Sequence, residues 1–296
     1  MPAHVPHGTD LHLRGRTFAP GETALLAIIN RTPDSFYDAG RFLDDEVALS
    51  AVARAVADGA DAIDVGGVKA GPGPEVSAGE EKRRVVSFIA AIRQAYPDLV
   101  ISVDTWRADV ADAACDVGAD LVNDAWAGHD PDLPAVAGAH GAGYVCAHTG
   151  GHPPRTDPHR VRYDDVVAAT VADLRRQADA ALAAGVRHDG LLIDAAADFG
   201  KNTYHSLQVT GHVSALIETG WPVLLAVSNK KFIAETLGLD GPKSDRITGT
   251  IATTAVAVWE GVRMVRAHDV AQTRQILDMV AALRSGVPAL ARRALA

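Results

Sequence analysis

The chain has 296 residues, 48% of them hydrophobic, with 27 glycines, enough to bury one large α/β core or two smaller ones. Its 28 Lys and Arg stand against 37 Asp and Glu, a formal charge of -9, which excludes a general polyanion binder such as a nucleic-acid protein; any anion it holds must be met by a few placed cations. Two cysteines, Cys115 and Cys146, are too few for a disulfide framework or a thiolate metal site; the opening MPAHVPHGTDLHLRGRTFAPG lacks a signal-peptide core, and no window approaches the roughly 18 apolar residues of a membrane span, so a cytoplasmic protein is expected.

In chain order, an N-terminal segment 1–23 contains LHLRGRTF (11–18), which predicts a short hairpin. The main domain, expected over 24–286, begins with the apolar run ALLAIIN (24–30). That run stops at Asn30 and gives way to RTPDSFYDAG, a loop more densely polar than a connection requires. The segment DEVALSAVARAVADGA places apolar residues at helical spacing and leads into a second strand, DAIDVGG (61–67). A helix over SAGEEKRRVVSFIAAIRQAY precedes strands LVISVD (99–104) and DLVNDA (120–125), and then GYVCAH (143–148). The helical YDDVVAATVADLRRQADAALAAG leads to GLLID (190–194), followed by PVLLAV (222–227) and VRMVRAHD (262–269), and 287–296 is left as a tail.

These apolar runs are unbroken rather than alternating, the signature of strands buried on both faces of a parallel sheet. Several helical segments end in a glycine before the next strand, at Gly59, Gly118, Gly185, Gly220 and Gly261. Glycine suits the left-handed position that ends a helix. Eight strand–helix units over about 250 residues predict a single-domain (β/α)8 TIM barrel. A doubly wound open sheet is the rival, but it normally carries a Gly-rich phosphate turn after its first strand, where NRTPDSF stands here.

The carboxyl ends of the runs carry Asn30, Asp64, Asp104, Asn123 with Asp124, His148, Asp194, Ser228 with Lys230, and Arg266 with His268. A barrel brings those ends to one face, where active sites of this fold lie. The competing structural readings differ by position. Asp64, beside two glycines, reads as a carboxylate accepting backbone N–H bonds. Asp104 competes with a helix N-cap, although the helix starts nearer Arg107. Asp194 precedes a non-helical AAADFGKN and has no cap role. Arg266 and His268 fall on one side of an extended strand and read as an anion site, with a helix cap as the alternative for His268.

At these positions the chain resembles the dihydropteroate synthases, pterin-binding (β/α)8 barrels. NRTPDSFYDAG is similar to the family's N-x-T-P-D-S-F-x-D-G-G, and DVGG to the start of its second signature. SVDTWRADVADAACDVGADLVND, SNKKFI and VRAHDV match further motifs in the family's order. The resemblance implies condensation of 6-hydroxymethyl-dihydropterin pyrophosphate with 4-aminobenzoate and release of pyrophosphate. It implies that Asp104, Asn123 and Asp194 hydrogen-bond the pterin, with Lys230 at its oxo edge. Asn30, Arg266 and His268 would hold the pyrophosphate, with Asn30 near a Mg²⁺. Lys230, Asp104 and Arg266 would be the catalytic groups, and a homodimer would form through the late helices around GTIATTAVAVWEG.

The acceptor side departs from the family pattern. Thr32, Asp34 and Ser35 remain in the first loop, but DVGGVKAGPG puts Lys69, Ala70 and Gly71 where the family has Ser-Thr-Arg. The family's D-P-G-x-G-F-G-K becomes DAAADFGK, with Asp198 adding negative charge. Asn229 replaces an arginine and Lys231 a serine that meets the aminobenzoate carboxylate. The loop carrying Arg155, Arg160 and Arg162 reads either as solvated or as an anion-binding lid. This combination is similar to a second, actinobacterial branch of the family that lacks the standard activity. Two functional readings follow: a transferase with weak or altered acceptor use, and a non-catalytic pterin binder with a regulatory or other role. The related corrinoid methyltransferases are a third, with no use for a pyrophosphate fork.

Overall fold

The structure, a computed structural model, describes residues 9–32, 45–126, 128–156 and 161–288. After a hairpin of β1 (Leu11–Leu13) and β2 (Arg16–Phe18), eight parallel strands follow: β3 (Ala24–Asn30), β4 (Ala62–Gly66), β5 (Val100–Asp104), β6 (Leu121–Asp124), β7 (Gly143–Ala147), β8 (Leu191–Asp194), β9 (Leu224–Leu225) and β10 (Met264–Ala267). Their hydrogen-bonded order is β8-β7-β6-β5-β4-β3-β10-β9, and a bridge between Ile193 and Val223 joins the two ends. This is a (β/α)8 barrel. The described helices are α1 (Asp45–Ala57), α2 (Ala78–Ala95), α3 (Ala108–Asp116), α4 (Leu133–Ala139), α5 (Val166–Ala183), α6 (Thr203–Gly211), α7 (Val213–Ile217), α8 (Lys231–Leu237), α9 (Ile247–Glu260) and α10 (Val270–Ser285).

Six of the strand runs match the observed strands to within one residue, and the last two, 222–227 and 262–269, overrun theirs by two residues at each end. The shortness of β9 has a cause: Pro222 has no N–H to offer a ladder, and only Leu224 and Leu225 pair regularly with β10. Helix starts follow local chemistry. Ser77 accepts from Glu80 N ahead of α2, Asp165 from Val167 N and Ala168 N ahead of α5, and Asn202 from His205 N ahead of α6. Gly118 and Gly185 end helical segments at φ of 111° and 96°, values that a side chain would strain.

Two cores explain why no alternation shows in the sequence. Leu25, Ala27 and Ile29 of β3 face the helices with Ile63, Val65, Ile101, Val103 and Val122, in a cluster that includes Val52, Phe88 and Leu174. Ala24 and Leu26 face the barrel interior with Ala62, Val100, Leu121, Val145, Leu192, Leu224 and Met264. Both registers are apolar, so the period of two is hidden until the strand ends.

The hairpin closes the bottom. Leu11, Leu13 and Phe18 pack into the interior cluster, each contributing about 1.5–3 kcal/mol of burial. Buried Arg263 ties them down by donating to the carbonyls of Thr9 (3.0 Å), Phe18 (2.6 Å) and Glu22 (3.3 Å). Arg16 adds bonds to Asp61 O and Oδ1. Among the described residues no helix is long and apolar enough to cross a membrane.

Candidate functional site at the barrel mouth

The inward register continues upward from the interior core. Counting in twos from its apolar members leads to Asn30, Asp64, Asp104, Asn123, Asp194, Arg266 and His268. Adjacent strands hold several of them level: Asn30 pairs with Gly66, Gly66 with Asp104, and Asp104 with Asn123. The same parity separates neighbours that sequence alone had grouped. Asp124 points to the helix layer, where it accepts from Tyr144 Oη (2.7 Å), Trp126 N and Gly128 N. His148 does likewise, with Nδ1 at 3.1 Å from Thr170 Oγ1 on α5, and burial first, then Lys201, lowers its pKa to about 4. Both serve the fold.

Arg266 spans the mouth. Its Nε donates to Asp64 Oδ2 at 2.5 Å and its Nη2 to Asp104 Oδ2 at 2.6 Å. The planar fork expected to face an anion is thus turned mostly onto carboxylates, and Nη1 alone makes no hydrogen bond among the described residues. Burial opposes its charge, but Asp64 and then Asp104 outweigh it and hold the guanidinium protonated. Asp64 is part of this network rather than a backbone acceptor. Asn123 Nδ2 also donates to its Oδ2 (3.2 Å), while its Oδ1 is buried without a partner among the described residues. Asp104 caps no helix, since α3 begins at Ala108 with Arg107 at the N-cap. Burial raises its pKa well above the ordinary carboxylate range, Arg266 opposing and Asp64 adding to the shift.

On the opposite side, Asp194 Oδ1 accepts from Ala196 N at 2.8 Å, and its other oxygen makes no hydrogen bond among the described residues. Burial raises its pKa. Lys230 donates to Ala197 O at 2.7 Å and lies 4.1 Å from the centroid of the Phe199 ring, with two N–H groups left over. Burial lowers its pKa to about 8, with Asp198 the largest charge resisting. His268 Nδ1 is 3.1 Å from Ser228 Oγ, and burial followed by Arg266 lowers its pKa to about 3, so it enters the site as a neutral ring. Asn30 Oδ1 would be 3.4 Å from a Cβ at Gly66, and Asp104 Oδ2 3.9 Å, so the missing side chain leaves a cradle between them.

Aromatic groups line the rim. Trp126 meets Phe199 edge-on at 5.0 Å, in an apolar group with Val68 and Trp106. Sequence reasoning missed these, although Trp106 and Trp126 each stand two residues past a strand-end aspartate. It also missed Lys201, a buried lysine on the segment after β8.

The expected acceptor residues are placed differently from the pterin set. Thr32 is buried just past β3, and Asp34 and Ser35 lie outside the described residues, as does Arg160. Lys69 is half-buried and is one of the cations that lower the Lys243 pKa, after burial and Arg246. Lys231 is exposed and its ammonium pairs with Glu235 at 3.3 Å along α8. Asp198 accepts from Lys231 N (2.6 Å) and Phe232 N (3.2 Å) at the start of that helix. It does so at φ +69°, and Ala196 sits at +48°, both where the resembling motif has glycine. Arg155, at φ +64°, donates to Gly71 O (3.1 Å) and Pro74 O (2.6 Å), clipping the second loop, while Arg162 is exposed.

Comparison with known proteins agrees with this fold. The profile of a family described as "Pterin binding enzyme" matches residues 26–268. A Mycobacterium tuberculosis protein named inactive dihydropteroate synthase 2 is 55% identical over 280 residues, 93% of this chain and 87% of that one. The dihydropteroate synthase of Bacillus subtilis is 36% identical over 264 residues, covering 88% and 89%. The crystal structure of Yersinia pestis dihydropteroate synthase with a sulfonamide drug complex superposes with a TM-score of 0.88 at 32% identity, covering 94% of this chain and 100% of that one.

Proposed function

The chain belongs to the pterin-binding enzyme family that includes the dihydropteroate synthases, and on that footing we propose that its mouth holds a pterin carrying a pyrophosphate. One observation carries the reading: the hydrogen-bonding capacity left unused in the mouth has the shape of a pterin edge. Asp194 Oδ2, Asp104 Oδ1 and Asn123 Oδ1 remain as acceptors for ring N–H and amino donors, and Lys230 keeps N–H groups for the ring oxo oxygen. Phe199 and Trp126 offer apolar faces beside them.

The pyrophosphate would lie toward Arg266 Nη1, neutral His268 and Asn30. Among the described residues no group of three His, Cys, Asp or Glu could hold a metal; Asn30, whose Oδ1 faces the cradle at Gly66, is the residue that would hold a Mg²⁺ brought by the pyrophosphate. When bound, such an ion would neutralise charge on the pyrophosphate. This chain's groups supply the rest: Lys230 and Asp194 fix the heterocycle, and Arg266 stays charged.

The acceptor half favours a second reading, in which the chain binds a pterin without turning it over with 4-aminobenzoate. Lys69, Ala70 and Gly71 replace the Ser-Thr-Arg triplet, Lys231 is paired with Glu235, and the M. tuberculosis relative is named inactive. A cytoplasmic location and a homodimer belong with the same family reading; Val256 and Trp259 on α9 and Met279 and Leu283 on α10 are exposed apolar groups suited to such a contact.

Calorimetry with a pterin pyrophosphate analogue, with and without Mg²⁺ and 4-aminobenzoate, tests the proposal. Binding that Mg²⁺ strengthens supports it. Added aminobenzoate with pyrophosphate release selects the transferase, and binding without release selects the non-catalytic reading. No binding of any pterin sinks both.

A further inference from the structure

We propose that Lys201 is a positioning residue of the pterin well, whose buried ammonium holds the 194–201 segment through main-chain carbonyls and acts as the second counter-charge of Asp194, so that pterin binding depends on its charge. The inference rests on the pterin reading of the site.

Lys201 is 7% exposed, and among the described residues no carboxylate comes within ion-pair reach of it. Its Nζ donates to His148 O at 2.6 Å, Phe199 O at 3.1 Å and Ala196 O at 3.4 Å. An ammonium has three protons, and three carbonyls converge on them. Two of these carbonyls belong to residues that build the well. Ala196, bent into the left-handed region, offers the N–H that fixes Asp194; Phe199 is the ring over which Lys230 lies. The third, at the end of β7, anchors the segment to the barrel. The packing is tight: a Cβ at Gly200 would fall 2.0 Å from Thr149 O, and Tyr163 Oη donates to Gly200 O. Lys201 therefore reaches both ends of the proposed pterin contact without touching the ligand.

The charges around Lys201 come from every element packed against it. Asp194 is the largest, followed by Lys230, then Asp173 on α5 and Asp198 on the segment itself; the His148 and His205 rings, both with lowered pKa values, respond to its charge. Burial first, with Asp194 opposing, lowers the Lys201 pKa to about 7. A neutral amine has two N–H groups and a lone pair, so one carbonyl would face an acceptor, and Asp194 would keep only Lys230 and Arg266.

Binding and stability then move in opposite directions. A lysine pKa below its unfolded value contributes stability that is lost as pH falls through the folded pKa, so stability from this group rises above pH 7. Pterin affinity, which needs the charged form, falls over the same range by roughly tenfold per pH unit. A group that only held the fold would change stability and leave affinity flat.

The test measures affinity for 6-hydroxymethyl-7,8-dihydropterin by calorimetry, and melting temperature, from pH 6 to 9 for wild type, Lys201→Arg and Lys201→Met. The alkaline loss of affinity is expected to move to higher pH in Lys201→Arg than in wild type, since the guanidinium stays charged and leaves Lys230 as the next group to titrate; Lys201→Met binds at least tenfold more weakly at pH 6.5. The same midpoint in wild type and Lys201→Arg overturns the inference while leaving pterin binding intact. Should neither variant fold, Lys230→Arg decides: an alkaline loss of affinity that persists when residue 230 stays charged supports the inference, and its disappearance overturns it. Failure of wild type to bind the pterin at any pH is instead a failure of the site reading.

Discussion

Arg266 of β10 and Asp64 of β4 form an ion pair across the intervening strand β3, on a carboxylate with no exposure to solvent. Removing the guanidinium would leave Asp64 and Asp104 side by side with no cation between them. Arg266→Ala is expected to lower stability by about 3 kcal/mol in urea unfolding, and Asp64→Asn added to it to recover part of that loss. In calorimetry Arg266→Ala should weaken a pyrophosphate-bearing pterin far more than the bare pterin; equal losses would remove Arg266 from the anion site.

Asp194→Asn is close to isosteric and keeps an oxygen for Ala196 N, so the fold should persist with little change in melting temperature. Its amide, however, turns a donor toward ligand donors. Pterin affinity is expected to drop by about a hundredfold or more, as for sites whose polar groups lose their complement. Retained affinity would place the heterocycle elsewhere.

Asp198 fills the first N–H groups of α8 with its own carboxylate and stands beside Lys230. Asp198→Gly relieves the positive φ and removes a negative charge from the acceptor side. With a pterin pyrophosphate analogue and Mg²⁺ present, 4-aminobenzoate should bind this variant several-fold more tightly than wild type, at little net cost in stability because strain relief of about 1 kcal/mol offsets lost helix-start bonds. Unchanged affinity would move the acceptor defect to the Lys69–Gly71 stretch.

His268 is held neutral, its pKa about 3 against an unfolded value near 6.5. Its contribution to stability is present above the unfolded pKa and lost as pH falls through that window. His268→Asn should therefore lose less stability than wild type between pH 7 and 4.5, by about 1–2 kcal/mol in urea midpoints converted to free energy. His148, whose pKa is lowered to about 4, leaves a residual acid sensitivity in the variant.

Arg155 holds the second loop by two carbonyls. Arg155→Ala should speed amide exchange over residues 67–77 by about tenfold while bare-pterin affinity stays within twofold. Equal protection in the two proteins would mean that the loop is held by other contacts.

The barrel and most of its strand ends could be read from sequence because each apolar run stops at a polar residue where the interior meets solvent. Which polar residue faces inward was harder. Asn123 and Asp124 are adjacent, and only the packing of Leu121 into the interior and Tyr144 against the helices tells them apart. Asp64 was read as a backbone acceptor, since nothing local announces that Arg266, 202 residues away, reaches it. Lys201 closes the DAAADFGK stretch with nothing local to assign it a role, because its partners are carbonyls, which every residue has. The acceptor side stayed least legible, as its departures from the family pattern act through main-chain N–H groups and loop contacts rather than through side-chain type.

The hairpin floor has a kinetic consequence. With Leu11, Leu13 and Phe18 stoppering one end and Arg263 pinning them, that end is shut among the described residues, and exchange is expected at the opposite one. A flat molecule seated at the depth of Asp194 and Asp104 would be trapped beneath anything that enters after it. Were the proposed pterin pyrophosphate to enter there, its ring would go in first and come out last, and a lingering pyrophosphate would throttle every exchange below it.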